Sequence, residues 1–363
     1  MTRRLALLFG AALLLAGCGQ ATEAEDATES VEDAGESMED ATESVEDAGA
    51  GVTAVTTVYP LAWMAETIAP EADLTYVGSR GQDPHDLELS PSDRALFETA
   101  DVVLYMGDID FQPQVEDAVS ASTGEVVDAT GVVGEDALLA IAEEPHDDHA
   151  EEGADEHTDD EHTDDEHTDE GDDHADDEHT DEGDEHADEG VDPHIWFDAG
   201  LMGDVATATG EAFAAADPDN ADAYTANAQA VVDELTALDE EIDGLLSGCR
   251  LDAAIVSHEA YAYLLAPRDL EQEGISGAGG HTEATPQRIA ELVEQIAEQE
   301  IDTVLTEPVE GRTDAEAVAR EAADVELVEI YSLDIVPEEL EAEGYPALLR
   351  QQAEAFAQAL DCG

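Results

Sequence analysis

The twelve histidines of this 363-residue chain are unevenly placed. Eight of them, His146, His149, His157, His162, His167, His174, His179 and His186, crowd into one acidic stretch, while His85, His194, His258 and His281 stand apart. With no lysine anywhere in the chain, these four are the conspicuous nitrogen donors of the folded body. Two sit in the same tripeptide, Asp83-Pro84-His85 and Asp192-Pro193-His194. Proline fixes its own backbone and restricts the residue before it, so each of these histidines is presented from a stiff support. His258 follows the apolar run 253–256 and Ser257, where a strand would end. His281 lies in a glycine-rich loop without such a setting. Imidazole suits zinc, and three nitrogens with one carboxylate close a tetrahedron. A lone histidine is more often structural than ligating. Two Asp-Pro-His elements around a histidine-rich insert, with a third histidine at a strand end, shift the expectation to a metal site. Composition by itself does not select the fourth ligand from so many acids. A catalytic ion would need a coordination position open to water, and the sequence carries neither a His-Glu-x-x-His element nor a Gly-x-Ser-x-Gly turn.

For such residues to meet, several loops must converge. Residues 52–58 read as a buried strand, Pro60 opens a helix to about Ala69, and 74–77 form a second strand whose exit loop, 78–89, carries His85. Pro91 starts another helix with Ser90 as its N-cap, and 102–106 is again a strand. Residues 143–192 repeat Asp-Glu-His-Thr-Asp, hold 28 acidic residues and almost nothing apolar, and cannot form a core. Folded sequence resumes at Val191, with a helix over 199–216, a break at 217–220 and a long helix to about Leu246. A second unit follows, with strands at 253–256, 303–305 and 326–330. Its helices start at Glu259, Pro286 and Thr313, a glycine-rich loop spans 274–280, and the last helix begins near Tyr345. Strands alternating with helices imply parallel sheets, and ligand-bearing loops gather at the carboxyl ends of such strands.

The first residues speak to compartment. Arg3 and Arg4 precede the apolar run 5–15, and Ala16, Gly17 and Cys18 follow, the order of a secretory signal. Leu15-Ala16-Gly17-Cys18 resembles a bacterial lipobox, which implies cleavage before Cys18 and a lipid on its sulfur; the alternative is an ordinary signal with an incidental cysteine. The remaining pair, Cys249 and Cys362, suggests one disulfide in an exported protein, against two separate buried thiols. The stretch 19–51 repeats an acidic nine-residue unit and reads as a tether. With 95 acidic residues and a formal charge of −85, the chain argues against nucleic acid or an anionic membrane surface as partner. It fits a protein that works in strong salt, where self-repulsion is screened.

Four segments carry a more specific resemblance. Gly81-Gln82-Asp83-Pro84-His85-Asp86-Leu87-Glu88-Leu89-Ser90-Pro91-Ser92-Asp93 resembles the first metal loop of the zinc and manganese solute-binding proteins of ABC importers, the cluster A-I family. Asp192-Pro193-His194-Ile195-Trp196-Phe197-Asp198 is similar to the second metal motif, and Ser257-His258-Glu259-Ala260-Tyr261-Ala262-Tyr263-Leu264 to the third. Thr306-Glu307-Pro308 and Tyr331-Ser332-Leu333-Asp334 are similar to the closing segment, and the order holds from Val52 to Cys362. The resemblance implies an α/β protein of two similar lobes, each a parallel-type sheet flanked by helices, joined by one long rigid helix, with metal in the interlobe cleft. It implies His85 and His194 as ligands from the first lobe and His258 and Asp334 from the second. It makes the acidic loop a metal-collecting segment of the zinc-specific, ZnuA-like branch.

The organisation expected is a signal at 1–17 and a lipidated Cys18 with an acidic tether over 18–51. An N-terminal lobe follows at 52–216 with loop 143–190, then a connecting helix at 217–248 and a C-terminal lobe at 249–363. The function implied is a monomeric, non-catalytic receptor anchored outside the cell membrane. It would hold one zinc ion tightly and weaker ions on the loop, and deliver zinc to an ABC permease with a cytoplasmic ATPase. Two departures stand out. The family's Asp-Pro-Leu-Gly is here Leu333-Asp334-Ile335-Val336, which leaves Asp334 open to the alternative of a helix cap with water or another acid completing the site. Residues 266–270 replace a more basic stretch. His258 as a buried structural histidine, Glu307 as a structural acid near the cleft, Glu259 turned away from the metal and His281 on the surface are the bland counterparts. A zinc hydrolase, and a surface adhesin or zinc buffer without a transporter, are the alternative functions.

Overall fold

Short strands with apolar side chains on both faces need cover on both faces, and parallel pairing supplies it through crossover helices. The computed structural model describes residues 51–80, 84–107, 109, 111–141, 190–276, 284–308, 311–322 and 325–363, and has that arrangement twice. β1 (Thr53–Thr56), α1 (Tyr59–Ile68), β2 (Asp73–Tyr76), α2 (Pro91–Thr99), β3 (Val102–Tyr105), α3 (Pro113–Val119) and β4 (Glu125–Asp128) build a first sheet, all parallel, in the order β2-β1-β3-β4. α4 (Ala129–Val133) follows, then α5 (Ala199–Ala216) and α6 (Ala221–Leu245). The second sheet uses β5 (Ala253–Val256), α7 (Ala262–Leu265), β6 (Glu271–Gly274), α8 (Pro286–Gln299), β7 (Thr303–Thr306), α9 (Arg312–Glu321) and β8 (Glu326–Glu329). Its order, β6-β5-β7-β8, and its parallel pairing repeat those of the first, so the lobes are two copies of one topology. α10 (Glu338–Glu341) and α11 (Tyr345–Ala359) complete the chain.

Local chemistry sets the element ends. Ser90 accepts from Asp93 N at 3.2 Å ahead of Pro91, and Thr285 accepts from Arg288 N at 3.1 Å ahead of Pro286. Asp217 ends α5, and its carboxylate takes bonds from Asn220 Nδ2 at 2.7 Å and Tyr224 Oη at 3.0 Å. α6 then buries Tyr224, Ala228, Val231, Leu235, Leu238 and Ile242. That alternation of four- and three-residue steps keeps one stripe inward along the whole helix, about 37 Å at 1.5 Å per residue. The stripe packs on α1 and α5 of the first lobe and on α11, which lies against the second sheet.

The core follows strand alternation. Val55 and Val103 face α2 and α3 and pack with Phe97, Val115 and Ala118. Ala54, Val102 and Leu104 face the other way and join a larger core that runs through Trp196 and Tyr345 to Ala254 and Val256 of the second sheet. The lobes therefore share one apolar interior. A disulfide joins Cys249, just past α6, to Cys362.

The elements differ from the sequence expectation at several places, and the short helices α3, α4 and α10 have no counterpart in it. β4 and β6 lie in stretches with no apolar run; they are edge strands whose side chains are largely exposed or half-buried. The helix expected from Glu259 starts at Ala262 and ends at Leu265, because residues 258–261 turn through the site first. Gly274, expected in a loop, closes β6. The signal segment, Cys18, most of the tether, the eight loop histidines and His281 lie outside the described residues. Among the described residues no helix is long and apolar enough to cross a membrane.

Candidate metal centre

His258 lies two residues past β5, and β5 is the strand from which the second sheet's order reverses, the position where parallel sheets present ligand sites. His85 comes from the short 3-10 turn 84–86 after β2, and His194 from the segment leading into α5. One ligand atom from each of the three lies within 4.8 Å of the other two. Ring centroids are 5.5 Å apart for His85 and His194, 5.9 Å for His85 and His258, and 5.2 Å for His194 and His258. Nitrogens around a tetrahedral zinc sit about 3.4 Å apart, given zinc–nitrogen bonds of about 2.05 Å, so a modest inward turn of the rings closes the shell. His194 and His258 are buried, and His85 is half-buried.

Hydrogen bonds brace His194 and the turn that carries His85. Asp192 Oδ1 sits 2.7 Å from His194 Nδ1 and also accepts the His194 backbone N–H at 2.9 Å. That engagement leaves Nε2 for another role. Among the described residues this buried atom has no hydrogen-bond partner, the kind of donor atom a metal would satisfy. His85 is braced through its neighbour: Gln112 Nε2 donates to the Pro84 carbonyl at 3.0 Å, and Gln112 Oε1 accepts from Thr57 Oγ1 at 2.5 Å, which ties the turn to the end of β1. Phe111 meets the His85 ring edge-on at 4.7 Å. His258 Nδ1 lies 3.3 Å from Glu307 Oε1.

Asp334 stands outside the group of atoms within 4.8 Å. It is buried, and its Oδ1 accepts from Ser332 Oγ at 2.6 Å and from Ile335 N at 2.8 Å. Its backbone carbonyl accepts from Tyr59 N at 2.8 Å and Tyr76 Oη at 3.0 Å, both from the first lobe. Leu333 beside it holds a left-handed φ of 65°, a backbone state that costs a non-glycine residue about 1–3 kcal/mol and that the surrounding bonds maintain. More bonds join the two lobes around the centre. Trp196 Nε1 donates to the Ser332 carbonyl at 2.7 Å, the Tyr345 hydroxyl donates to the Trp196 carbonyl, and Tyr263 Oη donates to the Asp192 carbonyl at 3.0 Å. Burial, reinforced by Asp334, pushes the Tyr76 hydroxyl far above the ordinary phenol range, and burial does the same to Tyr263. Both therefore stay protonated and keep donating. Sequence reasoning missed Asp192, Gln112, Tyr76 and Tyr263 as braces; only Asp192, inside the Asp-Pro-His repeat, carried a local signal.

The structure brings together three of the four histidines that sequence sets apart, in a largely buried nitrogen cluster suited to a borderline-soft divalent ion. Comparison with known proteins agrees in kind. Residues 54–359 match the family model of the periplasmic zinc-uptake complex component A, ZnuA. The zinc-binding protein AdcA of Streptococcus pyogenes serotype M3 is 26% identical over 272 residues, which cover 75% of this chain and 48% of AdcA, so the chain spans about half the length of that relative. The high-affinity zinc uptake system protein ZnuA of Paracoccus denitrificans is 37% identical over 220 residues, covering 60% of this chain and 64% of its own length. The periplasmic zinc-binding protein TroA of Treponema pallidum shares the fold with a TM-score of 0.65 at 19% identity, over 85% of this chain and 99% of TroA.

Proposed function

The chain belongs to the ZnuA family of zinc-uptake components, and on that premise we propose that it is an extracytoplasmic zinc receptor that delivers its ion to an ABC permease driven by a cytoplasmic ATPase. The observation that carries this reading is the convergence of His85, His194 and His258, from two lobes, within 4.8 Å of one another. These three nitrogens hold the zinc, and Asp334 supplies the fourth donor. Lipid on Cys18 holds the protein at the outer face of the membrane, and the histidine-rich loop carries further, weaker ions. No chemical step is part of the cycle. Capture needs neutral imidazoles, so zinc binding displaces any proton they carry. The continuous core and the α6 stripe favour small lobe movements over a wide hinge. Release then works through the second-lobe segment 331–336, whose bonds from Tyr59 and Tyr76 must break for Asp334 to withdraw.

Chelator competition on the untagged protein tests this reading. One tight zinc per chain is expected. His85→Ala and His194→Ala should each lower that affinity by more than the roughly 10- to 100-fold that loss of an outer-shell partner costs, and Asp334→Ala should lower it as well. Alanine variants at His85 and His194 that retain wild-type zinc affinity would remove the site.

A further inference from the structure

Glu307 is a buried carboxylate that the ligand set leaves without a task. It lies one residue past β7, and His258 two residues past β5, the neighbouring strand, so the sheet order sets them side by side. Glu307 Oε1 is 3.3 Å from His258 Nδ1. The same oxygen accepts from Tyr261 Oη at 2.8 Å, and the Glu307 backbone N–H donates to Ser257 Oγ at 3.0 Å. Ser257 and Tyr261 bracket His258 in sequence, so the turn 257–261 wraps around this acid. Gly311 allows the close fit: its φ is +64°, and a Cβ there would lie 2.7 Å from Ser257 Cβ. Among the described residues no arginine pairs with Glu307; its charge contact is the imidazole of His258. A buried carboxylate without a full counter-charge is costly. A divalent ion on the far nitrogen of that ring would supply the missing positive charge.

We propose that Glu307 is the positioning residue of His258: held by Tyr261 at 3.3 Å from Nδ1, it accepts from that nitrogen once the ring turns onto the metal and so directs Nε2 at the ion, the part that the hydrogen bond with Asp192 plays for His194. Glu307 is assigned this role and not that of a ligand because its Oε1 is held by Tyr261 Oη on the Nδ1 side of the His258 ring. The inference rests on the proposed zinc site and adds the device that orients its second-lobe nitrogen.

The test is a double-mutant cycle read by zinc affinity in chelator competition, with the thermal midpoint of the metal-free protein measured alongside. Glu307→Gln should weaken zinc about 10- to 100-fold, the usual effect of losing a partner behind a ligating histidine. The metal-free midpoint should stay level or rise, because an under-compensated buried charge has gone. In a His258→Ala background the same substitution should change zinc affinity by less than about twofold, since the ring it orients is absent. Tyr261→Phe should weaken zinc in the same direction and also lose its effect in His258→Ala, which keeps the test open should Glu307→Gln not fold. Full loss in both backgrounds, or wild-type affinity in Glu307→Gln, overturns the positioning role. Wild-type affinity in His258→Ala overturns the zinc site itself, a separate result.

Discussion

An imidazole and a carboxylate at position 258 would make two different sites. With His258 the cluster offers three nitrogens; with an acid there it would turn oxygen-rich, and harder oxygen ligands suit manganese better than zinc. Zinc also accepts four-coordination readily. Most divalent sites favour zinc over manganese whatever their ligands, so the informative quantity is the change on substitution. His258→Glu should weaken zinc on the order of 100-fold and manganese by less than about tenfold. Competition titrations with both metals, in high salt so that the acidic fold stays compact, measure the difference; equal losses would show that the third nitrogen does not set the preference. His194→Ala differs in kind, because it removes a nitrogen donor without putting an oxygen in its place. His194→Ala should weaken both metals together.

At the scale of elements, the histidine-rich segment is joined to the fold by a closed stem. Ile141 N donates to the Gly190 carbonyl at 2.8 Å, Asp192 N donates to the Leu139 carbonyl at 2.9 Å, and Ala140 bridges Val191 antiparallel. Tyr263 Oη fastens the stem to the second lobe by accepting from Leu139 N at 2.9 Å and donating to the Asp192 carbonyl at 3.0 Å. The stem ends at Asp192, two residues before His194. Residues 143–189 can therefore be replaced by a short turn without moving the brace of His194. The excised protein should keep one tight zinc and lose the weaker additional ions. Loss of the tight site on titration would mean that the segment supplies primary ligands.

The whole molecule balances heavy like charge against a shared core and one covalent tie. A formal charge of −85 repels itself most at low ionic strength. The Cys249–Cys362 disulfide closes a loop with a sequence separation of 113 residues, and fixes the end of α11 beside the end of α6. Chain entropy allows about 4–5 kcal/mol at most for a loop of that length. Reduction should lower the thermal midpoint of the metal-free protein, and more steeply in dilute buffer than in strong salt. Zinc should raise the midpoint in both redox states through binding to the folded form alone. A midpoint insensitive to reductant, with two free thiols found by mass spectrometry of oxidised protein, would remove the claim.

Much was legible in sequence where the signal is local. Proline beside His85 and His194, Ser90 ahead of Pro91 and the break at 217–220 before a long helix act over a few residues, and each can be read without knowing its neighbours in space. The same holds for the alternation of strands and helices that implies two parallel sheets. β4 and β6 were not legible, because Glu125–Asp128 offers only a pair of valines and Glu271–Gly274 no apolar side chain; backbone bonds to β3 and β5 hold them. Nor was the arrangement behind the metal cluster. Glu307 is 49 positions from His258 and touches it only because β5 and β7 pair, and Gln112 reaches Pro84 only because β1 delivers Thr57 to it. Asp334 appears in sequence as a ligand by resemblance, yet its oxygen lies with Ser332 and Ile335, and its carbonyl with tyrosines of the other lobe. Which groups a side chain finally meets depends on strand order and lobe closure, which are set by pairing and burial between residues far apart in the chain, and those contacts leave no mark within any single stretch of sequence.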